Sequence, residues 1–421
     1  MSGAVGPELI SYAEARSRVL SAVRPLPAEL VPLAEARGRA LRRVFAASHE
    51  LPPFRNSSMD GYAVATRDLA RASQASPVEL EVVEVVAAGA LASRALGPGQ
   101  AIRIMTGARV PDGANAVVPF EDSQRLDGAG GGERARFLRP ARHDENIRPA
   151  GRDVRQGESP LAVGRELSAH DLALLAALGE ARVSVGPRPR VAVLSTGDEL
   201  LEIDQALRPG AIRDSNRPML GMLLEECGAR VSASERVRDD PRQFVSRVEA
   251  LAPEADVVIS IGGVSAGDFE PVKKGLDSLG KIALWRVSMR PGRPQAFGEA
   301  FGRTFFGLPG NPASVACVFE ALVRPALRQM QGFAALDRPR VPVRAAEAIP
   351  SRAGRTDFAR VTLEWRERQL WARLAGDQVS GHLAPQSRAH ALLVVPDEVA
   401  ALAAGDPAEA LLLRWPESAD A

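Results

Sequence analysis

Cysteine is scarce in this 421-residue sequence, and neither sign of charge is in excess. The two cysteines, Cys227 and Cys317, lie far apart in the chain, which argues against a disulfide framework and fits a reducing compartment. We expect both to be small, buried apolar side chains. Because 53 Lys and Arg nearly cancel 52 Asp and Glu, no overall field attracts the protein to nucleic acid or to an anionic membrane. Any anion site must therefore be local.

Long apolar runs and a targeting segment are also missing. The longest candidate run, around residues 172 to 178, is far shorter than the roughly 18 residues that a membrane-spanning helix needs. The N-terminus MSGAVGPELI lacks the basic region and apolar stretch of a secretion signal. The five histidines show no metal-ligand spacing, so we expect surface or capping roles for them. These absences predict a cytoplasmic enzyme or binding protein without membrane or nucleic-acid partners.

The first half of the chain predicts helices around a β-rich insertion. Ser11 and Glu14 have the spacing of a capping box, ahead of a helix that runs to about Val23. Residues 46 to 146 change to short β-like runs at 80 to 86, 116 to 118 and 135 to 138. The Gly-rich tract at 127 to 132 reads as a hairpin connection. A second helix follows Ser168 and ends near Gly179.

From residue 190 the pattern is typical of a parallel sheet covered on both faces. Branched apolar runs at 190 to 194 and 255 to 260 predict strands, and residues 218 to 227 and 241 to 251 predict helices. RTFF at 303 to 306 precedes a long predicted helix over 313 to 330. Past residue 338, five short β-like runs near positions 341, 361, 371, 392 and 411 predict a small barrel.

The sequence therefore predicts a multidomain α/β protein of two to four domains, as its length also requires. We expect a doubly wound, mostly parallel sheet domain, an inserted β-rich module, a small N-terminal helical region and a C-terminal β-barrel-like domain. The expected boundaries are 7–45 with 147–187 for a discontinuous helical linker domain, 46–146 for the β module, 188–332 for the α/β domain and 338–417 for the barrel.

Polar and Gly-rich loops follow each predicted strand of the α/β domain. They read STGDE at 195 to 199, GGVSAGD at 262 to 268 and GLPGNPAS at 307 to 314. In a doubly wound sheet, ligands bind beyond the carboxyl ends of the strands, where these loops meet. Glycine lets backbone N–H groups approach an oxyanion closely. Each loop alone is explained by ordinary turn chemistry, but three in one sheet favour an anion site.

A basic row, Arg286, Arg290 and Arg293, lies in the segment RVSMRPGRP. Pro291 and Gly292 preclude a regular helix, so we expect a positioned loop. Alone such a row is usually a solvated face. Beside three Gly-rich loops it favours phosphate binding, because guanidinium groups hold phosphate or an oxometalate through two hydrogen bonds.

The β-rich module carries three further polar segments. NSSMDGYAV at 56 to 64 places one carboxylate, Asp60, before an apolar strand. RIMTGA at 103 to 108 contains Thr106, and NIRPAGRD at 146 to 153 ends on Asp153. Individually these segments read as simple loops.

Together these strings resemble the molybdopterin molybdenumtransferase family, which includes the C-terminal domain of gephyrin. NSSMDGYAV, RIMTGA, NIRPAGRD, STGDEL, RDDP, GGVSAGD, PGRP and GLPGNPAS occur in the family's order between residues 56 and 314. The resemblance implies an enzyme that inserts molybdate into adenylylated molybdopterin and releases AMP with the help of a divalent cation such as Mg²⁺. It also implies a homodimer whose active site is shared by the α/β domain of one subunit and the β module of the other. Transient contact with the molybdopterin adenylyltransferase is a further expectation.

The residues that the motifs and the resemblance single out fall into two groups. The expected catalytic residues are Asp60, Glu199, Asp239 and Glu270, of which Glu199 and Asp239 are the expected metal ligands. The expected substrate-binding residues are Thr106, Asp153, Ser195, Thr196, Gly262, Gly263, Ser265, Arg286, Arg290, Arg293, Pro309, Asn311, Pro312 and Ser380. A hard divalent cation prefers carboxylate oxygens and keeps several waters, so no His or Cys ligand is needed.

The chain departs from the family pattern at two places. Many members carry Lys where this chain has Arg286, Arg290 and Arg293, and an arginine does not release its proton. These positions are therefore expected to neutralise charge and not to move protons. Glu270 stands where the family usually has Asp, which shifts the carboxylate by about one bond length.

Two other functions are compatible with parts of the sequence. The related adenylyltransferase has a similar sheet domain, but it has a GGTG loop where this chain has GGVS, and it would leave the β module and the barrel without a purpose. A pterin-binding or scaffolding protein would not need Asp60, Glu199 and Asp239 beside a polyanion. These carboxylates favour the enzyme.

Overall fold

The computed structural model describes residues 8–127, 131–264, 275 and 278–416. They form two compact units. The larger unit comprises Met1–Arg43, Val163–Ser168 and Arg182–Ala421, and the smaller unit comprises Val44–Ala162 and Ala169–Ala181. The expected four-domain boundaries stay a prediction.

The larger unit contains the predicted parallel sheet. Its parallel strands are, in spatial order, Arg230–Val237, Arg190–Thr196, Val257–Ile261 and Arg303–Leu308. The sheet continues through an antiparallel hairpin, Pro294–Ala300 and Gly280–Arg290, and Glu8–Ser11 pairs in parallel with the last of these. The sequence reading missed both the hairpin and the N-terminal strand.

Helices cover both faces of this sheet, as the doubly wound prediction requires. Leu220 and Leu224 pack with Val191 and Val257 on one face, and Phe244 packs on the other. In the described part of the chain, the helices of the larger unit include Tyr12–Ala22, Asn216–Glu226, Pro241–Leu251, Pro312–Val318, Arg324–Gln331 and Ala384–Arg388, with 3₁₀ turns at Leu33–Glu35 and Ala252–Glu254.

Two of the predicted helices begin at residues whose side chains cap the first turn. Ser11 is the N-cap of Tyr12–Ala22 and accepts a hydrogen bond from the backbone N–H of Glu14 at 3.1 Å. Asp240 caps Pro241–Leu251 in the same way, through the backbone N–H groups of the first turn.

The prediction of a single α-helix over 313 to 330 is wrong in the middle of that stretch. Phe319–Val323 is a π-helical segment between Pro312–Val318 and Arg324–Gln331. Hydrophobic periodicity does not reveal such wide turns here, because every residue of Phe319–Val323 is buried, including Glu320.

The C-terminal strands close into the predicted barrel. Thr356–Arg366 pairs with both Gln369–Leu374 and Ala391–Val395, and the circle is completed through Arg340–Ala345 and Pro407–Leu412. Its interior holds Val361, Leu393 and other apolar side chains. Closure leaves these five strands without a free edge.

Three short two-stranded ladders complete the larger unit. Glu29–Pro32 pairs with Arg182–Val185, Leu200–Leu201 with Ile212–Arg213, and Ile349–Pro350 with Ala401–Leu402.

The smaller unit is the predicted β-rich module with one helix, Ala169–Ala177. Its six-stranded sheet runs in the order Ala116–Pro119, Gly61–Val64, Gln100–Ile104, Val78–Val86, Glu133–Phe137 and Ser123–Asp127, and a 3₁₀ turn spans Phe120–Asp122. Asp127 pairs with Glu133 across the Gly-rich tract, which confirms the predicted hairpin, although residues 128–130 lie outside the described residues. Asn56–Ser57 pairs with Ile147–Arg148 in a separate ladder.

Cys227 and Cys317 are buried and free, as predicted. Burial raises the pKa of the Cys227 thiol to about 11 and that of Cys317 still further, so both stay protonated at neutral pH.

Along the described stretches of the chain, we find no helix that has both the length and the apolar character to span a bilayer.

Candidate functional site

The loops that follow the three parallel strands meet at one edge of the sheet in the larger unit. Gly262 N donates to Leu308 O at 2.9 Å, and Thr196 Oγ1 donates to Ile261 O at 3.5 Å. A Cβ on Gly262 would lie 3.0 Å from Thr196 O, and the φ of Gly262 is 87°. Glycine is therefore required where the first and second loops touch.

Ser195 is held inside the protein by a buried carboxylate. Its Oγ donates to Asp214 Oδ2 at 2.6 Å, and Asp214 is 2% exposed. Arg217 donates to Asp214 through its backbone N–H and through Nε, and its Nη2 donates to Glu202 Oε2 at 2.5 Å. This network ties the segment after the first strand to the start of the helix Asn216–Glu226.

Glu199 folds back over Gly197, the residue that follows the first strand. A Cβ on Gly197 would lie 2.6 Å from Glu199 Oε2, and the φ of Gly197 is 151°. The position of the Glu199 carboxylate therefore depends on the absence of a side chain at Gly197.

Asp239 lies beside the same loop. The backbone N–H of Asp198 donates to Asp239 Oδ2 at 3.3 Å. Partial burial raises the pKa of Asp239, the hydrogen bond from Asp198 N opposes that shift, and the carboxylate of Asp198 adds to it. A nearby positive charge would therefore stabilise the ionised form of Asp239.

A cavity of about 540 Å³ opens next to these carboxylates. Asp198, Arg208, Arg236 and Arg238 line it. Arg208 Nη2 donates to Asp198 O at 3.2 Å, and Arg236 donates to Leu200 O, so two of the guanidinium groups are oriented by the loop itself. The cavity combines carboxylates with arginines, which suits a cation and a polyanion together.

The third loop contacts the barrel. Asn311 Nδ2 donates to Ser380 Oγ at 3.0 Å, and Ala313 N donates to Ser380 O at 3.0 Å. Asn311 is the N-cap of Pro312–Val318, but its side chain makes no capping hydrogen bond. It donates to Ser380 instead. Pro309, which precedes this contact, is buried. The structure thus brings together Asn311 and Ser380, which are far apart in sequence.

Arg360 is a residue of this region that the sequence analysis missed. It is 1% exposed, and its guanidinium donates to the carbonyl oxygens of Asp377, Val379 and His382 at 3.0 to 3.1 Å. Three carbonyl bonds from one buried arginine fix the loop that carries Ser380. An isolated Arg in an apolar strand carries no sequence signal for this role.

The basic row does not lie on the expected loop. Arg286 and Arg290 belong to the strand Gly280–Arg290, where Arg286 pairs with Pro294 of the next strand. Only Arg293 is in the connecting turn, and its carbonyl accepts from Val287 N at 2.8 Å. Pro291 and Gly292 do not form an extended loop here but make the tight turn of a hairpin. The three side chains remain exposed.

In the smaller unit, Asp60 and Thr106 contact each other directly. Asp60 Oδ1 accepts from Thr106 N at 2.6 Å and from Thr106 Oγ1 at 2.8 Å. These two bonds lower the pKa of Asp60 from its ordinary value. The NSSMDG and RIMTGA segments are therefore one structural feature that presents an ionised, exposed carboxylate.

Asp153 lines a second cavity of the smaller unit, of about 490 Å³. Asn56, Arg148 and Arg152 also line it. Arg148 pairs with Asn56 in the short ladder, which joins the NSSMDG and NIRPAGRD segments. Asn56 is buried, and its Oδ1 has no hydrogen-bond partner among the described residues, so it is a further polar group that the sequence analysis overlooked.

Two expected site residues, Ser265 and Glu270, lie outside the described residues. Within residues 8–127, 131–264, 275 and 278–416, no three His, Cys, Asp or Glu side chains are gathered closely enough to hold a metal ion. Among the histidines, His382 bonds to Asp377 through Nδ1 at 2.8 Å, in the manner of a loop-capping residue.

Three protein families match consecutive parts of the chain. Residues 10–179 match the MoeA N-terminal region (domain I and II), residues 192–329 a probable molybdopterin binding domain, and residues 342–413 the MoeA C-terminal region (domain IV).

Individual relatives match over most of their length. Molybdopterin molybdenumtransferase 2 of Mycobacterium tuberculosis is 38% identical over 361 residues, which cover 84% of this chain and 87% of the relative. Molybdopterin molybdenumtransferase of Nostoc sp. is 37% identical over 358 residues, covering 82% and 80%. The crystal structure of the molybdopterin biosynthesis moeA protein from Pyrococcus horikoshii OT3 is similar with a TM-score of 0.82 and 30% identity, over 96% of this chain and 100% of that chain.

Proposed function

The chain belongs to the molybdopterin molybdenumtransferase family, and from this premise we propose that it inserts molybdate into adenylylated molybdopterin with release of AMP, assisted by a divalent cation. It is an enzyme of molybdenum cofactor biosynthesis. The observation that carries the finer proposal is the 540 Å³ cavity at the edge of the sheet, which Asp198 lines together with Arg208, Arg236 and Arg238. The backbone N–H of Asp198 also donates to Asp239, beside this cavity.

The carboxylates of this edge suit a magnesium ion. Mg²⁺ is usually held by one or two carboxylates together with substrate phosphates and waters, and not by a complete protein cage. The raised pKa of Asp239, caused by burial and opposed by Asp198 N, falls when a cation approaches. We assign Glu199 and Asp239 as its ligands. A bound Mg²⁺ supplies positive charge to the phosphates of the substrate and to the departing AMP.

The remaining predicted residues bind and orient the substrate. The exposed Arg286, Arg290 and Arg293 neutralise its negative charge without giving up protons. The other proposed contacts are Asp153, Thr196, Gly262, Gly263, Ser265, Pro309, Asn311, Pro312 and Ser380, with Glu270 as a further catalytic carboxylate. Ser195 acts through Asp214, because its hydroxyl is already bonded there.

Asp60 supplies a carboxylate from the β module that is ionised at neutral pH. Its two bonds from Thr106 keep its pKa low, so it is charged at neutral pH and accepts hydrogen bonds from substrate donors. We propose that the enzyme is a homodimer whose active site takes Asp60 from one chain and Glu199 from the other. Transient contact with the molybdopterin adenylyltransferase, and action in the cytoplasm, complete the proposal, and the two free thiols fit a reducing compartment.

The alternative adenylyltransferase reading is disfavoured by the family matches outside the α/β domain. Residues 10–179 and 342–413 match the MoeA N-terminal and C-terminal regions, which the smaller adenylyltransferase would not need.

One assay tests the proposal. Purified protein is given adenylylated molybdopterin and Mg²⁺, with and without molybdate, and both AMP and molybdenum-loaded cofactor are quantified. We expect molybdate-dependent release of AMP that is lost in Glu199→Gln and in Asp239→Asn. Equal AMP release without molybdate, or full activity of both variants, contradicts the proposal.

A further inference from the structure

Asn216, the first residue of the helix Asn216–Glu226, bonds to the third of the loops that meet at the edge of the sheet. Its Nδ2 donates to Gly310 O at 2.6 Å, across 94 positions of the chain. No other hydrogen bond from the described part of the chain reaches Pro309 or Gly310. Asn216 therefore fixes the backbone of a turn that lies between two proposed substrate contacts, Pro309 and Asn311.

The same loop is attached at two other places. Gly262 N donates to Leu308 O at 2.9 Å, and Ala313 N donates to Ser380 O of the barrel at 3.0 Å. Gly310 lies between these two attachments and is exposed. Because an exposed glycine can adopt many backbone conformations, we expect the bond from Asn216 to restrict the turn to one of them.

The amide of Asn216 is an unfavourable choice if its role is only to stabilise the helix. A carbonyl oxygen can only accept a hydrogen bond, so Gly310 O orients the amide with Nδ2 toward it. Oδ1 of Asn216 is buried and has no hydrogen-bond partner among the described residues. A buried acceptor without a partner lowers stability. The favourable part of this arrangement is therefore the bond to the loop.

We propose that Asn216 is a positioning residue, which holds the turn at Gly310 so that Pro309, Asn311 and Pro312 meet the substrate in one geometry. Asn216 acts through the backbone of Gly310 and does not touch the substrate. The helix that carries it is packed on the sheet through its buried face, which gives the amide a rigid base. The effect on the substrate rests on the proposed function, whereas the effect on the loop does not.

Two variants of Asn216 test this role in the full-length protein. Asn216→Ala removes the donor, and Asn216→Asp keeps the size of the side chain but places an oxygen opposite Gly310 O. A carboxylate in the first turn of a helix is favourable by itself, so a role confined to the helix predicts no loss from Asn216→Asp. Met222→Ala is the matched control, because Met222 is 64% exposed in the same helix.

Amide hydrogen exchange of the peptide that spans residues 307–316 measures the loop. We expect the amides of this loop to exchange about five- to tenfold faster in both Asn216 variants, the effect of one lost hydrogen bond, and at an unaltered rate in Met222→Ala. The melting temperature of Asn216→Ala should stay near that of the unaltered protein, because the substitution also removes the unpaired Oδ1.

Steady-state kinetics measure the effect on the substrate. We expect KM for adenylylated molybdopterin to rise about five- to tenfold in both Asn216 variants, with kcat within a factor of about three, because contacts that bind the ground state and the transition state alike are weakened together. Met222→Ala should alter neither constant.

Unchanged exchange of the loop in both Asn216 variants overturns the proposal. If KM rises while the exchange is unchanged, Asn216 contacts the substrate directly and does not act through the loop. A lower melting temperature without faster exchange makes its role purely structural. Should the protein show no transferase activity while the loop exchanges faster in both variants, the proposed function fails and the positioning of the loop by Asn216 stands.

Discussion

Asn311 donates a hydrogen bond from Nδ2 to Ser380 Oγ at 3.0 Å, and so joins a loop of the α/β sheet to a loop of the barrel. The partner loop is itself fixed by Arg360, whose guanidinium bonds to its carbonyl oxygens. The two residues are 69 positions apart in the chain.

This contact predicts that Asn311 and Ser380 act as a pair. Asn311→Ala and Ser380→Ala should each lower kcat/KM about tenfold, the effect of one hydrogen bond that orients the loop. The double variant should be scarcely worse than either single variant, because both remove the same bond. The measurement is a double-mutant cycle on kcat/KM. Additive losses would mean that each side chain acts on the substrate separately.

Gly197→Ala should displace Glu199 and also strain the local backbone, because the φ of 151° is one that residues with a side chain rarely adopt. The added Cβ would lie 2.6 Å from Glu199 Oε2, and the end of a flexible side chain can move away. A misplaced catalytic carboxylate is expected to lower kcat by up to about 100-fold. Gly221→Ala is the control: a Cβ there meets nothing within 4 Å, and alanine favours the helix by about 1 kcal/mol. Equal kcat in both variants would remove Glu199 from the mechanism.

The low pKa of Asp60 predicts a shift of the acid limb of the pH profile. Thr106→Val removes the hydroxyl donor but keeps the backbone N–H, so the pKa of Asp60 should rise toward its ordinary value. A depressed carboxyl pKa keeps the group ionised to lower pH, and activity that needs the carboxylate is lost as pH falls through that pKa. The acid limb of kcat/KM should therefore move to higher pH in Thr106→Val and stay in place in Thr106→Ser. An unmoved limb in both variants would show that Asp60 does not control it.

Ser195→Ala should affect stability more than substrate binding. The hydroxyl bonds to the buried Asp214, so its loss should lower the free energy of unfolding by about 1 to 2 kcal/mol. KM should remain within a factor of about three, since a small change in loop position costs little binding energy. Thermal unfolding and steady-state kinetics check the two parts. A raised KM with an unaltered melting temperature would instead make Ser195 a direct substrate contact.

The shared active site is testable by mixing two inactive variants. If Asp60 and Glu199 of different chains form one site, a dimer of Asp60→Asn with Glu199→Gln has one intact site and one doubly altered site. Random exchange of subunits should then restore roughly a quarter of the original activity, since half of the dimers are mixed. Each variant incubated alone is the control. No recovery after demonstrated subunit exchange would mean that each site lies within one chain.

Local sequence patterns were sufficient for the main helices and for several of the strands. The capping box at Ser11 and the branched apolar runs at 190 to 194 and 255 to 260 gave elements near their observed bounds. These signals are local, because capping bonds span three residues and strand burial shows directly as apolar runs. The order of the motifs also identified the family, which the relatives confirmed.

The strand pairings could not be predicted from the sequence. Glu8–Ser11 joins the sheet through Gly280–Arg290, where each paired residue is 277 positions away, and that pairing leaves no local pattern. Consequently, the basic row was expected on a loop when two of its arginines lie on a strand. The π-helical segment Phe319–Val323 was missed for a related reason, since uniform burial erases periodicity.

The sequence by itself determined the fold class, the family and the residue types available for chemistry, because these depend on local composition and on motif order. Only the tertiary structure decided which of those residues touch: Asp60 with Thr106, Asn311 with Ser380, and Ser195 with Asp214 rather than with open solvent. It alone gathered Arg352 and Arg355 with Arg290 and Arg293 around one cavity. The physical reason is that such contacts arise from long-range strand pairing and loop packing, whose partners are set by the whole chain and not by neighbouring residues.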